Sequence, residues 1–135
     1  MRICIISMEN KAEVTLELCV QYCGALCRHE VCATGTAAAS IEAAAGFHVR
    51  ELLGVGSGGV EQVTRLVACR DADLVICIRD ASPLHPESPV VSDLIRSCDF
   101  HGVPIATGLA TARILLQNLS RQNSAEMMRK GNNRN

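Results

Sequence analysis

The segment best suited to chemistry is residues 30–37, where a short apolar strand leads through Thr34, Gly35 and Thr36 into an alanine-rich helix. The first backbone N–H groups of a helix have no acceptor within it, and the helix dipole places partial positive charge there. Gly35 lets the main chain approach a ligand closely. The run is therefore typical of a small-anion site, and equally of an ordinary helix start that a threonine caps.

Two further segments carry groups that could act on a ligand. The glycine-rich loop at residues 54–59 resembles a phosphate-cradling loop. It matches neither the dinucleotide fingerprint nor the P-loop, whose lysine it lacks, so simple flexibility is the alternative. Asp80 follows an apolar strand-like run, where its carboxylate could serve a reaction or merely form a turn.

Composition restricts the class of protein and its partners. The 135 residues, 48% of them hydrophobic, can bury one full core. The 13 basic and 14 acidic residues nearly cancel, so no bulk charge attracts nucleic acid or a membrane surface. No apolar run reaches the roughly 18–20 residues of a membrane span, and the chain enters a strand-like run at once. We therefore expect a cytoplasmic protein that binds neither nucleic acid nor membrane.

The eight cysteines are expected to be free thiols. Cys4, Cys32 and Cys77 fall inside apolar strand-like runs, which favours core packing over a disulfide framework. Three more recur every fourth residue, at positions 19, 23 and 27, and would form one stripe of a helix. That spacing matches no metal-ligand signature, so we predict a buried stripe and no metal site.

Apolar strand-like runs alternate with helical patterns along the chain. Strands are predicted at residues 2–7, 31–34, 47–53, 73–79 and 103–106. Helices are predicted at residues 10–29, 37–45, 60–70, 90–101 and 110–120, the first with an Asn10/Glu13 capping box and the second closed by Gly46. This alternation indicates an α/β domain with a doubly wound parallel sheet and helices on both faces. Ligands of such sheets lie beyond the carboxyl ends of the strands.

One folded domain is predicted over residues 1–120. Residues 121–135 are polar and net basic, with four Lys or Arg against Glu126 alone. Such composition favours a disordered tail, although it could also recruit a partner.

Several motifs occur together in one order along the chain. They are Ala-Thr-Gly-Thr at 33–36, Gly46, Gly58-Gly59 before a helix with Gln62, Asp80, and Val-Pro-Ile-Ala-Thr at 103–107. In this combination the chain, over residues 2–118, resembles the methylglyoxal synthase family. The same fold also serves an allosteric domain of carbamoyl phosphate synthetase and a cyclohydrolase domain of purine biosynthesis, so fold alone does not settle function.

The resemblance implies a five-stranded sheet in the order 3-2-1-4-5 and a homohexamer. It implies conversion of dihydroxyacetone phosphate to methylglyoxal and phosphate, with no metal or organic cofactor. A carboxylate of the family removes a carbon-bound proton, and hydroxyls and backbone amides hold the departing phosphate. Thr34, Gly35 and Thr36 match the family's phosphate-binding positions. Ala37 beside them, and Gly54 and Val55 in place of a Ser-Gly pair of the family, complete the predicted phosphate site, and Asp80 matches an acidic residue after the fourth strand.

The chain departs from the family at positions that carry chemistry. Val60 stands where the family has its catalytic Asp, and valine cannot accept a proton. Other family side chains, two His, a Lys and an Asp, are replaced at Met8, Glu87, Ala12 and Val90, with Lys11 and His85 nearby. Glu61, next to the missing base, is the candidate substitute, although one step along a helix turns a side chain by about 100°.

Three functions therefore stay open. The chain could bind a small phosphorylated metabolite without the family reaction, as the loss of the base suggests. It could be an active synthase, a phosphate-eliminating lyase, using Glu61 and Asp80 as catalytic residues. It could instead be a regulatory or scaffold subunit of an oligomer.

Overall fold

The computed structural model describes residues 1–82 and 88–132, which form a sheet of five parallel strands in the order β3-β2-β1-β4-β5. The strands are β1 (Arg2–Ser7), β2 (Glu30–Thr34), β3 (Val49–Leu52), β4 (Leu74–Ile78) and β5 (Ile105–Ala106). All neighbouring pairs are parallel. The predicted α/β class and strand order are confirmed. After β3 the chain crosses to the other side of the central β1, so the strand order reverses at β1.

In the described residues, six helices cover the sheet. They are α1 (Ala12–Gln21), α2 (Cys23–Leu26), α3 (Ala37–Ala45), α4 (Gly59–Ala68), α5 (Pro89–His101) and α6 (Leu109–Asn132), with 3-10 turns at Glu9–Lys11 and Val55–Ser57. Because side chains alternate along a strand, Ile3 and Ile5 pack in one core with α1, α2, α3 and α6. Cys4 and Ile6 pack in the other core with α4 and α5. Helices therefore lie on both faces of the sheet, as predicted.

The first helical region differs from the single helix predicted over residues 10–29. No side chain caps α1, and Asn10 lies in the preceding 3-10 turn, where its Nδ2 donates to Asp80 Oδ2 at 3.1 Å. The predicted capping box is therefore wrong. The helix is interrupted at Tyr22, which has φ −107° and ψ 25°.

This interruption also divides the predicted stripe of cysteines. Cys19 is buried, Cys23 is partly exposed and Cys27 is exposed. A continuous buried stripe would need a continuous helix, so the prediction holds only for Cys19. All eight cysteines are free thiols.

The last helix is longer than predicted, and residues 121–132 are helical instead of forming the expected disordered tail. Tertiary contacts explain the difference. Asn123 is buried, and its Nδ2 donates to Ala25 O at 3.3 Å while its Oδ1 lies 3.2 Å from His29 Nε2. One turn further along, the Arg28 guanidinium donates to the sulfur of Met127. Packing against α2 and the segment before β2 therefore extends the helix beyond what composition indicates.

Among the helices of residues 1–82 and 88–132, none combines the length and apolarity needed to cross a lipid bilayer.

A carboxylate fastens the end of α3 to the start of β3. Gly46 ends α3 in the left-handed region at φ 80°, as predicted. Glu42 Oε1 accepts from the backbone N–H of Val49 at 2.9 Å and lies 2.8 Å from His48 Nδ1. These bonds, the Val49 bond foremost, lower the pKa of Glu42 from its ordinary value of 4.5.

Replacing Glu42 by Gln tests this link through its pH dependence. A lowered folded-state pKa gives stability that is present above pH 4.5 and lost as the pH falls through the folded value. The melting temperature of Glu42→Gln should thus lie below that of the unaltered chain near neutral pH and converge with it on acidification. Glu17→Gln, on the exposed face of α1, should show no such convergence. A difference independent of pH would refute the assignment.

Gly59 at the start of α4 packs where no side chain fits. A Cβ on this residue would lie 2.3 Å from Leu53 O and 2.9 Å from Gly54 O, both backbone atoms. Gly59→Ala should therefore destabilise the fold by roughly 2–3 kcal/mol, lowering the melting temperature by roughly 10 °C. Gly24→Ala is the matched control, since a Cβ there meets nothing within 4 Å. Equal melting temperatures for the two variants would contradict this packing.

Candidate functional site

A cavity of about 730 Å³ opens at the carboxyl ends of β1, β2 and β3. It lies beside the point at which strand order reverses, where ligands of doubly wound sheets bind. All six positions predicted to hold phosphate line it: Thr34, Gly35, Thr36, Ala37, Gly54 and Val55. Two loops that are distant in sequence therefore contribute to one site.

Thr34 links the end of β2 to the end of β1. Its side chain is 3% exposed, and its Oγ1 accepts from the backbone N–H of Ser7 at 2.9 Å. The bond joins the ends of β1 and β2. A hydroxyl that accepts one hydrogen bond still carries a proton to donate, so Thr34 keeps one donor.

Gly35 brings the turn after β2 against the loop after β3. It has φ 59°, which favours glycine, and its N–H donates to Leu52 O at 3.0 Å. A Cβ on Gly35 would lie only 3.2 Å from the Cα of Gly54. A side chain here would push the two loops apart, so the cavity depends on this glycine.

The donors available to an anion come from the start of α3. Within residues 1–82 and 88–132, the backbone N–H groups of Thr36 and Ala37 donate to no protein acceptor. The Thr36 side chain is exposed at the same point. Two free N–H groups, a hydroxyl and the positive end of the helix dipole thus face one space.

The glycine-rich loop at residues 54–59 contributes to the shape of the cavity more than it supplies hydrogen-bond donors. The N–H groups of Ser57 and Gly59 both donate to Gly54 O at 2.9 Å. These bonds close the loop on itself through the 3-10 turn. The loop is hydrogen-bonded, which does not support the alternative that its glycines serve flexibility alone.

The charge lining the cavity is negative. Glu9 and Glu13 line it, together with the apolar side chains of Leu16, Ile41 and Val55. No Lys or Arg from the described part of the chain lines it. A bound anion would therefore be held by backbone dipoles against nearby carboxylates, without a cationic partner.

The two predicted catalytic carboxylates are outside this lining. Asp80 accepts from Asn10 Nδ2 and, through Oδ1, from the backbone N–H of Ser82 at 2.9 Å. It thereby fixes the loop that carries Glu9. Glu61 is exposed in the first turn of α4. Neither Asp80 nor Glu61 is among the residues that line this cavity.

Val60 points into the protein. It is 2% exposed and packs in the core with Leu52, Val63 and Val91. A side chain in that position stabilises α4 against the sheet and is not available to a ligand.

Sequence reasoning missed the part of the cavity between α1 and α3 that is lined by Glu13, Thr15, Leu16, Ser40 and Ile41. Ala12, at the position of a family lysine, lines the same part. The small side chains of the alanine-rich α3 were the available signal, because they leave space beside a neighbouring helix. His85 and Glu87, which the resemblance places near a family histidine, lie outside the described residues.

Curated relatives cover most of this chain. It is 36% identical over 121 residues to the methylglyoxal synthase of Caldicellulosiruptor saccharolyticus, covering 90% of this chain and 86% of that protein. The methylglyoxal synthase of Bacillus velezensis is 37% identical over 119 residues, 88% of this chain and 87% of that one. That of Burkholderia multivorans is 38% identical over 120 residues, 89% and 92% respectively. No protein-family model matches the chain.

A solved structure gives the same result. The crystal structure of methylglyoxal synthase from Elizabethkingia anophelis NUHP1 superposes with a TM-score of 0.76 at 29% identity, covering 85% of this chain and 76% of that one. Its agreement with the fold, and the relatives that align along nearly the full chain, lead to one conclusion: the chain belongs to the methylglyoxal synthase family.

Proposed function

We propose that this chain binds a small phosphorylated metabolite, of the dihydroxyacetone phosphate type, without carrying out the elimination of phosphate. The observation that carries the proposal is the meeting of six phosphate-binding candidates in one cavity with the free N–H groups of Thr36 and Ala37. These donors would hold the phosphate oxygens, and the three-carbon part would lie against the apolar lining.

The reaction itself lacks a proton acceptor in the expected place. Elimination of phosphate begins when a carboxylate removes a carbon-bound proton to give an enediolate. Val60, at the position that the resemblance assigns to this carboxylate, is an alkyl group packed in the core. A positioned general base contributes about a hundred- to ten-thousandfold to a rate. Without this base, we expect the site to bind the metabolite without converting it.

Binding should be weak. The cavity has no cationic side chain among its described lining residues, and Glu9 and Glu13 oppose an anion. Backbone N–H groups and a helix dipole must supply the attraction. We therefore expect a dissociation constant of about 1 mM for inorganic phosphate, equivalent to about −4 kcal/mol.

The second candidate is an active synthase in which Glu61 and Asp80 replace the missing base. The names of the relatives favour it, because the aligned proteins are methylglyoxal synthases. The structure gives this candidate no support, because Glu61 is exposed and Asp80 is engaged in hydrogen bonds with Asn10 and Ser82. A regulatory or scaffold subunit is the third candidate. A homohexamer and a cytoplasmic location are further parts of the proposal.

Removing the Thr36 hydroxyl at the start of α3 tests the proposed phosphate site. Thr36→Val keeps the shape and the backbone N–H groups but loses one hydrogen bond to a charged ligand, which is worth about 1.5–3 kcal/mol. Phosphate binding, measured by calorimetric titration, should weaken by at least about tenfold. Thr64→Val is the control, because the Thr64 hydroxyl donates within α4 to Val60 O at 3.0 Å. Equal affinities for the two variants would place the site elsewhere.

Turnover separates the two candidates. Purified protein at high concentration, given dihydroxyacetone phosphate, should release no methylglyoxal above the uncatalysed rate, because Val60, buried in the core, supplies no proton acceptor at the position of the family's catalytic carboxylate. Enzymatic detection of methylglyoxal is the measurement. Product formation that Glu61→Gln abolishes would establish the second candidate instead.

A further inference from the structure

Cys4 and Cys32 lie directly opposite each other on the central strands of the sheet. They are register partners on β1 and β2, and their sulfur atoms are 3.2 Å apart. Neighbouring strands are about 4.7–4.9 Å apart, which lies within the Cα separations that disulfides span. Closing the bond requires the sulfur atoms to approach by about 1 Å, to the usual ~2.05 Å. The usual spacing of paired strands therefore permits a disulfide between these register partners.

The two thiols differ in access. Cys4 is fully buried, whereas Cys32 is partly exposed and lines a second cavity of about 720 Å³. This cavity lies at the opposite end of β2 from the phosphate-binding candidates, and Arg50 lines it as well. Arg50 is the register partner of Cys32 on β3, so its charge lies beside the sulfur. A small reagent in this cavity would meet Cys32 and not Cys4.

The thiols also differ in acidity. The hydrogen bond between the two thiols lowers the pKa of Cys32, burial opposes that effect, and the positive charge of Arg50 lowers the pKa further. The pKa of Cys4 is raised by the same bond and by burial. Cys32 is thus the thiol that ionises first, and Cys4 stays protonated beside it. This is the division expected between an attacking and a resolving cysteine.

We propose that Cys32 and Cys4 are a redox-active pair, in which Cys32 reacts with a small peroxide from the second cavity and Cys4 then closes a reversible disulfide across β1 and β2.

The reaction balances in two steps. The Cys32 thiolate attacks a peroxide oxygen, the O–O bond breaks, and the released hydroxide takes up a proton to become water, which leaves Cys32 as a sulfenic acid. The sulfur of Cys4 then attacks the sulfur of Cys32, the S–O bond breaks, and the departing hydroxide leaves as water with the Cys4 proton. Two thiols are oxidised, and one peroxide is reduced to two waters.

Peptide mapping of the full chain tests the pairing. Trypsin cuts after Arg2, Lys11, Arg28 and Arg50, so residues 3–11 carry Cys4 as their only cysteine and residues 29–50 carry Cys32 as theirs. After stoichiometric hydrogen peroxide and alkylation of the remaining thiols, mass spectrometry should find peptide 3–11 linked to peptide 29–50. Dithiothreitol should release the two. Loss of thiols with no such linked peptide would overturn the proposal.

Variants separate the pair from its neighbours. Cys27→Ser removes another cysteine of the same cavity and should leave the linked peptide unchanged. Cys4→Ala should leave Cys32 as a sulfenic acid that dimedone traps, and Arg50→Gln should slow the oxidation of Cys32 by about threefold near neutral pH. Cys98, buried in the same core as Cys4, is the competing partner. A link from peptide 3–11 to residues 97–113, which carry Cys98, would refute the assignment.

Discussion

The candidate site depends on one close approach between two pieces of backbone. The turn after β2 and the loop after β3 meet at Gly35 and Gly54, where a Cβ on Gly35 would be 3.2 Å from the neighbouring Cα. Thr34 fixes the other side of this turn through its bond to Ser7. Together these contacts set the direction of the free N–H groups at the start of α3. The cavity is therefore defined by main-chain geometry more than by side-chain chemistry.

Under the proposed function, this main-chain origin accounts for a site that keeps its shape without the family's catalytic carboxylate. Substituting a side chain such as that at residue 60 changes the chemistry without moving Gly35 or Gly54. Val60 even adds apolar contact to the core beside Leu52. The proposed function therefore treats the backbone donors that bind the anion and the carboxylate that removes the proton as separate parts of the site.

The sequence predicted the sheet well, because its apolar runs alternate with amphipathic segments and parallel sheets leave few topologies for such an order. The placement of the phosphate-binding candidates in one cavity was also foreseeable, because glycine and threonine at a strand-to-helix turn are typical of a small-anion site. The break at Tyr22 and the helical residues 121–132 were not. The extension depends on the bond from Asn123 to Ala25, between residues far apart in the chain. The positions of Asp80 and Glu61 likewise depend on packing that local patterns do not encode.

The late position of α6 has a consequence for synthesis. Leu116 and Leu119 complete the core on one face of the sheet, and Asn123 reaches back to the segment just before β2. All of β1 to β5 precede these residues along the chain. While the ribosome is still producing α6, the part of that apolar face which α6 covers is therefore exposed. The core of this face is complete only once α6 has emerged from the exit tunnel, so products truncated before α6 would be prone to aggregation.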